Sequence, residues 1–351
     1  MAVIKISPEE FLLKQNFAPV LDVRSPSEYT HAHMPGAFSL PLFSDPERAL
    51  VGTNYKQQSR ESAIKMGLDF FGLKMRRMVE ETEEILSKYS NYHNTSGKKT
   101  VLVHCWRGGM RSAGVAWLLD LYGFEVFTLE GGYKYFRRWV LQQFQKEYPV
   151  RLLGGYTGSG KTDVLSALEK RGELVLDLEN LAKHKGSAFG NLGMPVQPSQ
   201  EQFENELAAN LYGLMQKRSP EKEIWVEDES QRIGDVNIPI VLWKNMRKRN
   251  IYFLDIPFQE RLKYLVDQYG KHEKERLVNA IIRIKKRLGG LETKEAVNAL
   301  IEERVEDCFR ILLRYYDKWY LKGLNNREGL EKLKHNIICE RVTEANSQKL
   351  I

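Results

Sequence analysis

Short β-branched runs alternate along the chain with longer segments whose apolar residues recur every three or four positions, which predicts strands alternating with helices. Thr100-Val101-Leu102-Val103 reads as a buried strand, and the spacing from Ala113 to Leu119 predicts a helix ending near Gly123. The run 124–129 closes at Gly131-Gly132, and a helical stretch follows to about residue 145. After Pro149 the alternation restarts: Val150-Arg151-Leu152-Leu153 is a plausible strand, and Val164 to Leu168 lies in a helix. Strands ending in acids are predicted at 174–177, 223–228 and 251–255, whereas 257–287 and 293–321 read as mainly helical. Earlier, 76–88 predicts an amphipathic helix and 91–98 a polar loop. The fold class is α/β, with parallel sheets and a helical, basic C-terminal part.

Two of the strand–helix junctions carry chemistry. The first is His104-Cys105-Trp106-Arg107-Gly108-Gly109-Met110-Arg111-Ser112. At such a junction, backbone amides, the positive end of the helix dipole and the guanidinium groups of Arg107 and Arg111 can face the Cys105 sulfur and favour the thiolate. Gly108 and Gly109 are expected to supply positive φ or close backbone approach. The second junction, Gly155-Tyr156-Thr157-Gly158-Ser159-Gly160-Lys161-Thr162, satisfies the Gly-x4-Gly-Lys-Ser/Thr pattern of a phosphate-cradling P-loop. Gly155, Gly158, Ser159 and Gly160 shape it, Lys161 neutralises the phosphate, and Thr162 can reach Mg²⁺ if one is bound. An acid at a neighbouring strand end, Glu227 or Asp228, is expected to complete that site.

A Cys-x5-Arg loop serves two chemistries: phosphate binding, as in protein tyrosine phosphatases, or carriage of sulfur or selenium, as in rhodaneses. The segments Leu21-Asp22-Val23-Arg24-Ser25-Pro26-Ser27-Glu28-Tyr29 and His33-Met34-Pro35-Gly36-Ala37, with Gly131-Gly132, resemble the rhodanese pattern and decide for the second. The loop is one residue longer than in most rhodaneses and is similar to that of dual-specificity phosphatases with the rhodanese fold. That implies a donor carrying a tetrahedral phosphate-like group. Relative to a minimal rhodanese, about 46–99 is an insertion. The second half resembles small P-loop kinases, in which basic residues of a late helix close over phosphates, here Arg283 or Arg287.

Length and charge sharpen this picture. With 351 residues the chain divides into an expected rhodanese-like domain, 1–145, and a P-loop domain, 146–351. Lys and Arg number 53 against 46 Asp and Glu, a formal charge of +7, which favours a polyanionic partner. The excess clusters at Lys244, Arg247, Lys248 and Arg249, and again at Arg283, Lys285, Lys286 and Arg287; such clusters suit nucleic-acid phosphates. Tyr315 and Trp319, one helical turn apart, read more readily as a core stripe than as a base-stacking platform. Three cysteines without a Cys-x-x-Cys pair suit a reducing cytoplasm, and no signal peptide or membrane-length apolar stretch is visible. Asn94-Thr95-Ser96 is formally a glycosylation acceptor with nothing else to support secretion. His31, His33 and His104 are better explained as turn or strand-end residues than as a zinc site.

Cys105-Trp106-Arg107-Gly108-Gly109-Met110-Arg111-Ser112 fused to Gly154-Gly155-Tyr156-Thr157-Gly158-Ser159-Gly160-Lys161-Thr162 resembles the bacterial tRNA 2-selenouridine synthase family. The likeness spans almost the whole chain; residues 51–56, 184–190 and 229–234 extend it. The resemblance implies a transferase that replaces sulfur by selenium at C2 of a 5-substituted 2-thiouridine at the wobble position. It implies selenophosphate as donor, an S-geranylated intermediate made from geranyl diphosphate, and the anticodon stem-loop of tRNA as partner. No tightly bound cofactor is expected beyond a possible Mg²⁺. Phe189, Leu192 and Met194 are candidates for a prenyl-tail slot, with a core role equally open. An ATP-dependent kinase with a regulatory rhodanese module and a non-catalytic binding protein are the alternatives; oligomeric state stays open.

Overall fold

The computed structural model describes residues 3–89 and 99–351; the predicted loop 91–98 and Asn94 lie outside the described residues. Two compact units divide the chain: Met1–Gln143 with Glu204–Ala209, and Phe144–Phe203 with Asn210–Ile351.

The first unit runs β1 (Ile4–Ile6), α1 (Pro8–Lys14), β2 (Val20–Asp22), α2 (Pro26–His31), β3 (Ala37–Ser39), α3 (Asp45–Gln57), α4 (Arg60–Lys88), β4 (Thr100–His104), α5 (Met110–Tyr122), β5 (Glu125–Leu129) and α6 (Gly132–Gln143). Its strands form one parallel sheet in the order β1-β5-β4-β2-β3. Ser7 and Ser44 start α1 and α3 with capping boxes closed by Glu10 and Glu47. The insertion is a helical pair, and α4 is 29 residues long rather than the 76–88 segment predicted. Its buried face, Ala63, Phe71, Met78, Val79 and Leu86, runs the whole length, and from Phe71 on it packs with Leu21, Leu42, Phe43, Val101 and Val103. Side chains buried this fully contribute about 1.5–3 kcal/mol each, so α4 belongs to the core. Gly67 and Gly72 weaken the helical signal of its first half; a Cβ on Gly67 would already meet the Phe43 ring at 3.4 Å.

The second unit runs β6 (Val150–Gly155), α7 (Lys161–Lys170), β7 (Leu174–Leu176), α8 (Leu178–Ala182), α9 (Gln200–Lys217), β8 (Ile224–Glu227), β9 (Arg232–Ile233), β10 (Val236–Asn237), α10 (Ile240–Met246), β11 (Ile251–Asp255), α11 (Phe258–Tyr269), α12 (Lys274–Arg283), α13 (Lys285–Leu288), α14 (Gly290–Ile301), α15 (Val305–Asn325), α16 (Leu330–Leu333) and β12 (Lys334–Ile338). Its five-stranded sheet, order β12-β11-β6-β8-β7, is wholly parallel. The sequence pattern did not announce β12, because it is an edge strand of Lys, His and Asn ending in an exposed Ile338. The stretch 293–321 is two helices, α14 and α15, divided where Glu303 takes a φ of 63°. Leu262, Leu265, Leu277, Ile281, Leu312 and Leu313 form the core of the helical part. Among the described residues, no helix is long and apolar enough to cross a membrane.

Candidate active sites

The Cys105 loop follows the central strand β4 and ends in α5, at the carboxyl edge of a parallel sheet where such folds bind ligands. Gly108 has a φ of 62°, and the turn at Gly131-Gly132 closes against the loop: Tyr133 N donates to Cys105 O and Lys134 N to Trp106 O, both at 2.9 Å. A Cβ on Gly132 would lie 2.4 Å from Cys105 O, so only glycine permits this approach. Gly109 needs neither exemption, contrary to the sequence expectation: its φ is −102° and a Cβ there would meet open space.

Cys105 is 3% exposed, with Sγ 3.2 Å from the Ser112 hydroxyl, a partner the sequence reading left out. Arg107 is exposed. Arg111 is held by Glu28, Nη1 donating to Oε2 at 2.7 Å, so any anion entering the loop would compete with that carboxylate for its guanidinium. Cys308 and Cys339 are buried, and burial holds both thiols above their usual range, Cys308 at about 12.

Behind the loop lie His104, Asp22 and Arg24, all buried. Arg24 donates to Asp22 at 2.6 Å, and its guanidinium lies 3.8 Å from the Tyr133 ring centroid. Burial pushes His104 down to about 4 in spite of Asp22 3.7 Å away. The imidazole is therefore neutral at pH 7, and Arg24 is the permanent counter-charge of Asp22. The unfolded chain binds this proton near pH 6.5 and the folded chain only near 4, so stability is complete above about pH 6.5 and falls, by on the order of 3 kcal/mol, as pH drops to about 4. Denaturant midpoints at pH 7 and 4.5 check this: the difference should shrink in His104→Gln, and an unchanged difference contradicts it. His33 stacks on Tyr29, and among the described residues the histidines form no metal-ligating group.

The second loop follows β6, the middle strand of its sheet, and opens α7. Gly155, Gly158 and Gly160 take φ values of 153°, 80° and 69°. Lys161 Nζ lies 3.3 Å from Gly155 O and 3.3 Å from Glu227 Oε1. The Ser159 hydroxyl is buried and has no hydrogen-bond partner among the described residues. Thr162 donates to Glu179 Oε2 at 3.0 Å.

Glu179, Glu227 and Glu229 each bring a carboxylate oxygen within 4.8 Å of the others. Burial and then mutual repulsion raise Glu179 and Glu229, while Glu227 is raised by burial against the pull of Lys161. Burial alone would lower Lys161, but Glu227, Glu229 and Glu179 outweigh it and hold the ammonium above the usual lysine range. Three carboxylates thus face one ammonium, and Glu227 Oε2 is buried without a partner among the described residues. Such an all-oxygen set, beside the Thr162 hydroxyl, suits a hard divalent cation. Of the two acids expected here, Glu227 is in place. Asp228 is turned elsewhere, accepting from the Tyr320 hydroxyl at 3.1 Å and from Arg327.

A family model described as the tRNA 2-selenouridine synthase AAA domain matches residues 148–345, and one described as a rhodanese-like domain matches 7–138. Relatives named tRNA 2-selenouridine synthase include that of Shewanella sediminis, 34% identical over 94% of this chain and 95% of its own length. The chain belongs to the tRNA 2-selenouridine synthase family. The Bdellovibrio bacteriovorus relative is 32% identical over 93% of this chain and 94% of its own length. That of Nitrosomonas europaea is 37% identical over 72% of this chain and 63% of its own length.

In this member of the family, neither Arg283 nor Arg287 contacts the P-loop. Arg283 donates to Ala188 O and Asn191 Oδ1, and Arg287 lies beside the Trp319 ring. A cation of the helical part that does touch the loop is Arg261, which the sequence did not single out; it donates to Thr157 O at 3.1 Å and pairs with Asp317 through two nitrogens at 2.8 Å. Phe189 and Leu192 are buried in the helical core, Leu192 also lining a cavity with Asn191, Arg276, Asn279, Ile282 and Arg283, and Met194 is half-buried. Lys244, Lys248 and Lys286 are exposed, and Arg247 is half-buried, stacked on Trp243. Glu179 and Glu229 were missed because each follows a strand end by two or three residues, Glu179 in the first turn of α8 and Glu229 in a loop, where only the fold sets which way they face.

Proposed function

We infer that the protein replaces sulfur by selenium at C2 of wobble 5-substituted 2-thiouridine in tRNA, with selenophosphate as donor and geranyl diphosphate as activator. Membership of the family supports the overall reaction. The single observation that carries the two-step form is the buried P-loop cradle, in which Lys161 and three carboxylates frame a place for a diphosphate and a divalent cation.

Thiocarbonyl sulfur leaves poorly. In the first step it attacks the allylic carbon of geranyl diphosphate, the C–O bond breaks, and diphosphate departs. Lys161 and the loop stabilise the charge that develops on it. Thr162, Glu179, Glu227 and Glu229 would hold Mg²⁺, which would supply further neutralisation of that charge. In the second step water attacks the phosphorus of selenophosphate, the P–Se bond breaks with release of phosphate, and the hydrogenselenide set free attacks C2 and displaces the geranyl thiol. Cys105 presents the selenium to C2 without a change in its oxidation level, while Arg107, Arg111 and the loop, shaped by Gly108 and Gly109, hold the donor's phosphate. Lys244, Arg247, Lys248, Arg283, Lys286 and Arg287 supply charge toward the anticodon stem-loop.

Mass spectrometry of nucleosides from tRNA incubated with the protein tests this. Geranyl diphosphate alone should yield the S-geranyl nucleoside, and both donors together the selenonucleoside. Selenium insertion at full rate without geranyl diphosphate removes the first step from the scheme.

A further inference from the structure

Helix α15 has two working faces. Asp317 and Tyr320 turn toward the P-loop: Asp317 holds Arg261 against Thr157 O, and the Tyr320 hydroxyl accepts from Gly155 N at 3.2 Å. The other face carries Arg314, Lys318, Trp319 and Lys322, all exposed. Trp319 is 39% exposed, not the core residue its spacing suggested. Lys322 Nζ lies 5.1 Å and the Arg287 guanidinium 5.8 Å from the centroid of its ring. From α10, Arg247 donates to Gly323 O at 3.2 Å. Cations from two helices, α13 and α15, therefore gather at one indole, and Arg247 reaches the backbone of α15 four residues further on.

The charges along α15 are not treated alike. At its start Arg304 pairs with Asp307, and Arg310 with Glu306. Around Trp319, none of Arg247, Arg287, Arg314, Lys318 and Lys322 has a carboxylate within 4 Å among the described residues; the acids nearby, Asp317 and Asp228, are spent on Arg261 and Arg327. The helix dipole favours Lys322 near the C-terminus, but it does not account for the arginines brought from α10 and α13. Mutually repelling cations around a half-open aromatic ring complement an anion that also offers a flat face. An acidic peptide offers charge without the face; a nucleic acid with unpaired bases offers both.

We propose that this face of α15 docks RNA, with an unpaired base stacked on Trp319 and phosphates against Arg247, Arg287 and Lys322. The inference rests on the reading of the protein as a tRNA-modifying enzyme and adds where the RNA sits: on the helix whose opposite face braces the P-loop.

An unmodified tRNA transcript titrated against the full chain by fluorescence anisotropy, over a range of salt, is the test. Trp319→Ala should weaken binding about tenfold, and Trp319→Phe, which keeps a ring, should restore most of it. The double variant Arg287→Gln/Lys322→Gln should lower the slope of log affinity against log salt by about two, roughly one per cation. If Trp319→Ala unfolds by circular dichroism, the double variant, altering only exposed side chains, carries the test alone. Wild-type protein that fails to bind tRNA overturns the functional reading itself. Wild-type protein that binds while these variants keep its affinity and salt slope overturns only the placement, as does equal capture of a poly-glutamate peptide.

Discussion

Cys105→Ala is expected to abolish selenium incorporation, by about a thousandfold or more, while S-geranylation of tRNA persists. The reason is local. The side chain is buried, and its recorded polar contact is the Ser112 hydroxyl, so truncation removes one sulfur from a loop whose shape is set by Gly108, Gly132 and the bonds from Tyr133 and Lys134. The P-loop belongs to the second unit, which has its own sheet and core, so the prenyl step has no reason to fail. Nucleoside mass spectrometry reads both products from one reaction. Joint loss of the two with a normal thermal midpoint contradicts separate roles, and full selenium incorporation removes the thiol from the chemistry. A kinase with a regulatory rhodanese module would instead show phosphoryl transfer unaffected by this change.

Lys161→Ala is expected to do the reverse, cutting geranylation by about 10²–10³-fold. Its ammonium faces the cluster of Glu179, Glu227 and Glu229, 3.3 Å from Glu227. Without it, the departing diphosphate meets carboxylates with no ammonium between them. Supplying tRNA already S-geranylated separates the steps: with selenophosphate, the variant should then insert selenium at the wild-type rate. Unimpaired geranylation by Lys161→Ala would take the P-loop out of the mechanism; failure on the pre-geranylated tRNA would place Lys161 in the second step as well.

Both loops were legible from the amino acids because each is a contiguous run whose chemistry is local. Cys105 at a strand–helix junction and the Gly-x4-Gly-Lys-Thr run need only their neighbours to be recognised, and the parallel α/β class follows from the alternation of apolar periods around them. The core helix α4 was half legible, since glycines at 67 and 72 blur a stripe that packing against Phe43 makes unambiguous.

Residues that act across sequence distance were decided by the tertiary structure alone. Glu28 reaches Arg111 over 83 positions, Arg261 reaches Thr157 over 104, and Tyr320 reaches Gly155 over 165. No periodicity or motif encodes which loop a distant side chain will meet. The same holds for Glu227 against Asp228: adjacent residues leaving a strand point to opposite faces, so one enters the cradle beside Lys161 and the other turns to Tyr320 and Arg327. The chain's own pattern determined which chemistry is present; the packing of sheet against helix decided which charges confront it, because burial and distance, not residue type, set what each charge is worth.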